Sequence, residues 1–540
     1  MPIPSPTRGL VRPALLLLLP LFSLACPQPP PDTTTPDLPQ VSVVVDEPNT
    51  VGTSLKLSLS TSGCDQVQRL ELLDNNELLK TVTYGGNPTP VVLEMSEIRY
   101  TRGIAANLSL TARVTCADGR TNISQAQPAT FFPVAESIDA VSANEQVVPN
   151  YFIAEGKEAN GGTVSFIGCA QEGANRQVLY KVTKNPSAPT KRLEMLIPCS
   201  ESTVITERKN GWRWVWTPNQ GIFAISANQF ETGTSSTALR NVKADRLTIT
   251  PEGNALVYDA GEGVDPATLR LITPAGTTRW VISSASASGA TALSGFVIGD
   301  PVFTGAGPAY VPLGNDFGDD TPGGTVRVGV LNYINGFWSH IVTIDELSST
   351  PGDLPPTVAF NASGTLLYMA TQLSNTSAYV RACAISGMDT NSRCEPPTNL
   401  KWSSNDLTGY VVALVPYADG SRLAVVAARH TWFLNASTGA VVNKDGQSLS
   451  PSGALFPRQV VLGANGAFYL LTSGAPTDAQ PTPWPVEIIA TDMAERGELY
   501  RYQIPGGSIA GATDDSGALW LRVGRKLVKP LALEQYRKVR

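Results

Sequence analysis

Six times after residue 249 the chain repeats one local pattern, a polar turn with a glycine followed by a short apolar run. The copies are TPEGNALVYDA from Thr250, TGAGPAYVPL from Thr304, NASGTLLYMAT from Asn361, YADGSRLAVVA from Tyr417, GANGAFYLLTS from Gly463 and DDSGALWLRVG from Asp514. Their glycines, Gly253, Gly307, Gly364, Gly420, Gly466 and Gly517, stand 54, 57, 56, 46 and 51 residues apart. Short strands recurring at such a period make one small sheet per repeat. No such unit buries its apolar face alone, so successive units must stack.

These units resemble the repeats with an x-D/P-x-G-x-x-L-x-x core found in β-propellers of periplasmic and secreted bacterial proteins. The last is similar to the D-x-x-G-x-L-W blades of sensor propellers. The resemblance implies a β-propeller over residues 145–533, with six blades, or seven if Tyr151 to about Phe230 supplies another. Propellers serve as scaffolds, binders and enzymes alike, so fold alone assigns no activity.

Ahead of the repeats, from Val41 to about Pro133, apolar residues alternate: VSVVV from Val41, LKLSLS from Leu55 and LSLTARVTC from Leu108. Period two is the signature of half-buried strands. The run VQRLELLDNNELLKTVT, Val67 to Thr83, places Asp-Asn-Asn between two such stretches and reads as a hairpin. It resembles the central hairpin of bacterial immunoglobulin-like modules. Steps of two back from Cys116 reach Val114, Ala112, Leu110 and Leu108, so Cys116 belongs to the core face, and Cys64 ends the strand before the hairpin. That order suits a disulfide joining the two sheets of an immunoglobulin-like sandwich. The expected fold class is therefore all-β: an immunoglobulin-like β-sandwich over 41–134, followed by a six- to seven-bladed β-propeller.

The first 25 residues read as a secretory signal: Arg8 and Arg12, an apolar run from Ala14 through Leu24, then Ala25 before Cys26. The run is shorter than the about 20 apolar residues of a membrane-spanning helix. Ser23 to Cys26, SLAC, resembles the lipobox of bacterial lipoproteins, with Ser23 where an aliphatic residue usually stands. The resemblance implies acylation of Cys26 and a membrane lipid anchor; cleavage after Ala25 without acylation is the alternative. No aspartate follows Cys26, which, in a cell with two membranes, favours the outer membrane or cell surface. Residues 26–40 then form a lipid-bearing cysteine and tether, since PQPPPDTTTPDLPQ is too proline-rich for helix or central strand. At ~3.1 Å per residue it holds the folded part roughly 40 Å from its anchor.

Seven cysteines sit awkwardly in an exported chain, but one lipidated Cys26 leaves an even six. Neighbours pair as Cys64 with Cys116, Cys169 with Cys199 and Cys383 with Cys394. With 46 acidic against 40 basic residues, the chain offers no cationic field for nucleic acid.

Little in the sequence speaks of catalysis. Two histidines, His340 and His430, and no HExxH, GxSxG, Walker loop or CxxC pair argue against a zinc site or a triad. In GWRWVWTP, Trp212, Trp214 and Trp216 share one face if the segment is a strand. That face is either a platform for cell-wall sugar rings or packing between blades. In GNDFGDDTPGG, Asn315, Asp316, Asp319 and Asp320 could present oxygens to Ca2+, with a solvated turn as the competing reading. No other cofactor is expected. The functional expectation is a non-enzymatic envelope lipoprotein that binds protein or glycan partners. The alternative is a propeller hydrolase or lactonase-like enzyme holding a divalent metal on carboxylates at the channel mouth.

Overall fold

The computed structural model describes residues 37–531 apart from short stretches, the longest being 99–105, 286–295, 316–324, 347–356, 385–393, 475–485 and 492–499. The signal segment, Cys26 and most of the tether lie outside the described residues. The chain is all-β: among the described residues, helix is limited to Ala227–Thr232, the 3-10 turn Met95–Glu97 and Gly446.

Residues 40–133 form two sheets around one core. Gln40–Val45, Ser54–Ser62 and Thr89–Glu94 make the first sheet. The second runs Asn49–Gly52, Gln127–Pro133, Ala106–Cys116, Val67–Asp74, Glu77–Val82, with Thr121–Ile123 beside Ala106–Cys116. Alternation decides which side chains meet: Leu55, Leu57 and Leu59 of one sheet pack with Leu108, Leu110, Ala112 and Val114 of the other. The hairpin read from Asp-Asn-Asn is present, with Asn75 and Asn76 at φ 47° and 68°, as a type I′ turn requires. Asp74 fastens it to the neighbouring strand by accepting from the Ser109 amide at 2.7 Å. Cys64 and Cys116 are disulfide-bonded with Cα atoms 5.6 Å apart, linking the end of the first sheet's central strand to the second sheet.

Beyond residue 135 come eight further antiparallel sheets among the described residues, most of four strands. Seven follow one another along the chain in up-and-down order, starting at Glu145, Val204, Arg246, Phe296, Thr357, Val411 and Leu455, the fourth with its first strand broken into Phe296–Ile298 and Val302–Phe303, both paired with Ala309–Asn315. The eighth takes Ile509–Thr513, Leu519–Val523 and Lys526–Lys529 from the end of the chain and completes itself with Glu136–Asp139, which lies before the first. Each sheet shares a core with the next. In order, Ile167 packs with Val215, Trp214 with Val257, Leu269 with Val311, Val328 with Met369, Val380 with Val425, Phe433 with Phe468, and Leu471 with Leu521. Then Trp520 of the eighth sheet meets Phe166 of the first, ring centroids 4.6 Å apart, and the succession returns to its start.

The glycine motifs are the turns between the first and second strands of these sheets. Gly253, Gly307, Gly364, Gly420 and Gly517 donate their amides to the carbonyls of Thr250, Thr304, Asn361, Tyr417 and Asp514 at 2.8–3.0 Å; Gly466 lies outside the described residues. Eight sheets exceed the six or seven repeats expected, because Tyr151 to Phe230, read as one unit, spans two sheets, Glu145–Met195 and Val204–Leu239. The second has its own turn at Asn210-Gly211, both with positive φ. An Asn-Gly pair between apolar runs is a strong hairpin signal, hidden here by the tryptophan run beside it.

Residues 135–144, left between the two expected domains, contain the strand Glu136–Asp139. The connection is direct: the Val134 amide donates to Gly52 of the two-sheet unit at 3.1 Å and the next amide, Ala135, to Lys529 of the eighth sheet at 2.8 Å. Val51, Phe132 and Val134 share a core with Leu471, Leu519 and Leu521, and Lys526 pairs with Glu47 at 2.8 Å. Two more disulfides brace the larger unit, Cys169–Cys199 and Cys383–Cys394, with Cα separations of 5.9 and 5.8 Å.

The sixth sheet has three strands. Its outer edge is covered by an irregular arm in which buried Asn443 accepts from the Phe433 amide at 2.6 Å and donates to the Thr431 carbonyl at 3.3 Å, standing in for a fourth strand.

Candidate functional site

Among the described residues, the first strand of each sheet has a hydrogen-bonded neighbour on one side only, so its other edge is available to line a space. Three such strands, Glu145–Gly156, Leu455–Leu462 and Ile509–Thr513, surround an open cavity of about 600 Å3 together with Glu207 and Arg208 from the second sheet. Ile153, Val460, Val461 and Leu462 give it apolar wall; Glu155, Glu207, Arg208, Gln459 and Asp515 give it polar groups of both charges. None of the described lining residues is aromatic.

Glu155 and Gln459 are positioned by contacts that cross between sheets. Arg213, in the strand Trp212–Thr217, points away from the tryptophans and reaches the Glu155 carboxylate; the same guanidinium donates to the Thr206 carbonyl. Its side chain is 2% exposed, against 22% for Glu155. Glu207 pairs with Lys209 at 3.2 Å in an exposed setting. Gln459 bridges the seventh and eighth sheets, donating to the Gly511 carbonyl at 2.6 Å and accepting from the Gly511 amide at 2.9 Å. Gly511 suits this close approach, since a Cβ there would stand 3.0 Å from Val461 and 3.1 Å from Leu471.

On the far side of the first sheet, Arg522 of the eighth is completely buried, and burial lowers its pKa.

The residues singled out in the sequence lie elsewhere. Trp212, Trp214 and Trp216 do share a face, turned into the core between the second and third sheets. Trp214 is fully buried and its indole donates to the Gly253 carbonyl at 2.9 Å, leaving no face for a sugar ring. Trp212 and Trp216 are partly buried against the same core. The third sheet's turn packs closely here: a Cβ on Gly253, at φ 86°, would stand 2.8 Å from the Lys209 carbonyl. Asn315 ends the strand Ala309–Asn315, while Asp316, Asp319 and Asp320 lie outside the described residues. Among the described residues no group of three or more His, Cys, Asp or Glu side chains is placed to hold a metal ion.

His430, at the turn into Thr431–Asn435, hydrogen-bonds Ser448 through Nδ1 at 2.8 Å and lies against Trp432 with rings 6.1 Å apart. Burial first, and then the charge of Arg429, lower its pKa below the ordinary value of 6.5. A folded-state pKa below the unfolded one means that the unfolded chain takes up the proton first as pH falls. Stability is thus unaffected well above pH 6.5 and declines as pH drops below it, until the folded pKa is passed. Denaturation midpoints at pH 7.5 and 5.5 should differ more in the native protein than in His430→Gln; equal differences would contradict this.

Glu155, Glu207, Arg208, Gln459 and Arg213 carry no local sequence signal, because they converge from strands as much as three hundred residues apart. The Arg213 position between two tryptophans is the one hint, a charge inside an otherwise apolar strand. A comparison with protein families finds no match to this chain, and a comparison with curated proteins finds none either.

Proposed function

We propose that this chain is a non-enzymatic binding module of the bacterial cell envelope, exported by residues 1–25, lipid-anchored through Cys26 in the outer membrane or at the cell surface, and carried on the tether 26–40. In this reading the two-sheet unit is an immunoglobulin-like spacer and the eight sheets are the blades of a β-propeller. Support for the propeller comes from the unbroken succession of shared cores and from the eighth sheet, which combines strands from both ends of the unit. The spacer reading draws on two sheets joined by the Cys64–Cys116 disulfide. Three disulfides fit an oxidising compartment.

The observation that carries the binding role is the cavity where three first strands meet, of a volume typical for ligand sites and lined by both apolar and charged groups. Affinity capture of the native protein from gently solubilised envelope, with mass spectrometry of the captured material and of the N-terminal peptide, tests the reading. Acyl chains on Cys26 and a stoichiometric partner are expected. An unmodified N-terminus and no partner would overturn it.

A further inference from the structure

We infer that the cavity binds an extended peptide segment, which pairs with the free edge of the strand Ile509–Thr513 at Thr513. This deepens the binding-module reading and rests on it. The strand is bonded on one side to Leu519–Val523 and on the other to no strand among the described residues. Gly511 turns both its backbone groups away from that partner, and the Gln459 side-chain amide meets them with one donated and one accepted bond. A neighbouring peptide group would make the same pair.

Backbone groups alternate sides along an antiparallel strand. The Asp514 amide donates to Ala518 at 3.1 Å, so Asp514 and, two residues back, Ala512 face the partner strand. Thr513 therefore faces the free edge with Gly511, and it lines the cavity. Gln459 satisfies the first rung; Thr513 offers the second, about 7 Å further along. A ligand with an amide N–H and C=O in extended register completes it, the mode by which sheet edges commonly take peptides.

The walls agree with that class. Arg208 beside Glu207 and Asp515 presents both signs of charge, which suits mixed side chains better than a polyanion or polycation. Ile153, Val460 and Leu462 give the alternate apolar side chains of a strand something to cover.

The test is amide hydrogen exchange on the full chain with a pool of short capped peptides of random sequence, beside the same pool N-methylated on its backbone, and with a chitin oligosaccharide. Slowed exchange at Thr513 with the first pool alone is expected. Thr513→Pro removes an N–H that takes no part in the ladder, so the strand keeps its pairing and circular dichroism should be unchanged. Peptide affinity should fall about tenfold, the worth of one backbone hydrogen bond. Absence of protection at Thr513, or equal protection by the N-methylated pool, overturns the inference. The sugar alone binding at the cavity also overturns it but leaves the binding-module reading standing. An envelope capture with no partner removes both.

Discussion

Trp214→Ala should lower the unfolding free energy of the eight-sheet unit by about 3–5 kcal/mol, the usual cost of emptying a fully buried tryptophan site. The indole fills the space between the second and third sheets with Ile222, Leu247, Ile249 and Val257. Its truncation also strips the Gly253 carbonyl of its donor at the turn that packs on Lys209. Neighbouring sheets are joined here by side chains rather than by strand pairing, so the cavity cannot close without moving a sheet. Trp216→Ala, in the same strand but partly exposed, is the control and should cost markedly less. Urea midpoints followed by circular dichroism give the comparison; equal losses in the two variants would refute the assignment of Trp214 as the central packing residue.

Arg213→Ala has a comparable expected cost for a different reason. Removing one partner of a fully buried ion pair leaves the other charge without its compensation and costs about 3–5 kcal/mol; because Glu155 keeps 22% exposure, the loss here should fall at the lower end of that range. Here the stranded group is the Glu155 carboxylate, and the Thr206 carbonyl loses a donor as well. Arg213→Met combined with Glu155→Gln removes both charges at similar volume and should recover most of the loss. A double variant no more stable than Arg213→Ala would show that the packing of the guanidinium stem, and not the charge, matters. Because Glu155 lines the cavity, Arg213→Ala should also weaken whatever binds there.

Both predictions concern one strand, Trp212–Thr217, whose two faces serve two seams. Its tryptophans look toward the third sheet and its arginine toward the first. Period two made the shared face of the tryptophans readable from sequence. What the face meets was not readable, since the residues opposite Trp214, Leu247 to Val257, belong to another sheet.

The same division runs through the whole chain. Alternation in Leu55–Leu59 and Leu108–Cys116, the Asn75-Asn76 turn, the glycine turns and the pairing of six cysteines depend on neighbours along the chain or on counting. Sequence by itself determined them, because strand period and left-handed turn geometry are local properties of the backbone. The number of sheets, the completion of the eighth by Glu136–Asp139, and the cavity depend on which distant strands lie side by side. Only the tertiary structure decided those: edge pairing and inter-sheet packing join residues up to several hundred positions apart, and no local pattern in Glu155, Gln459 or Thr513 records the meeting.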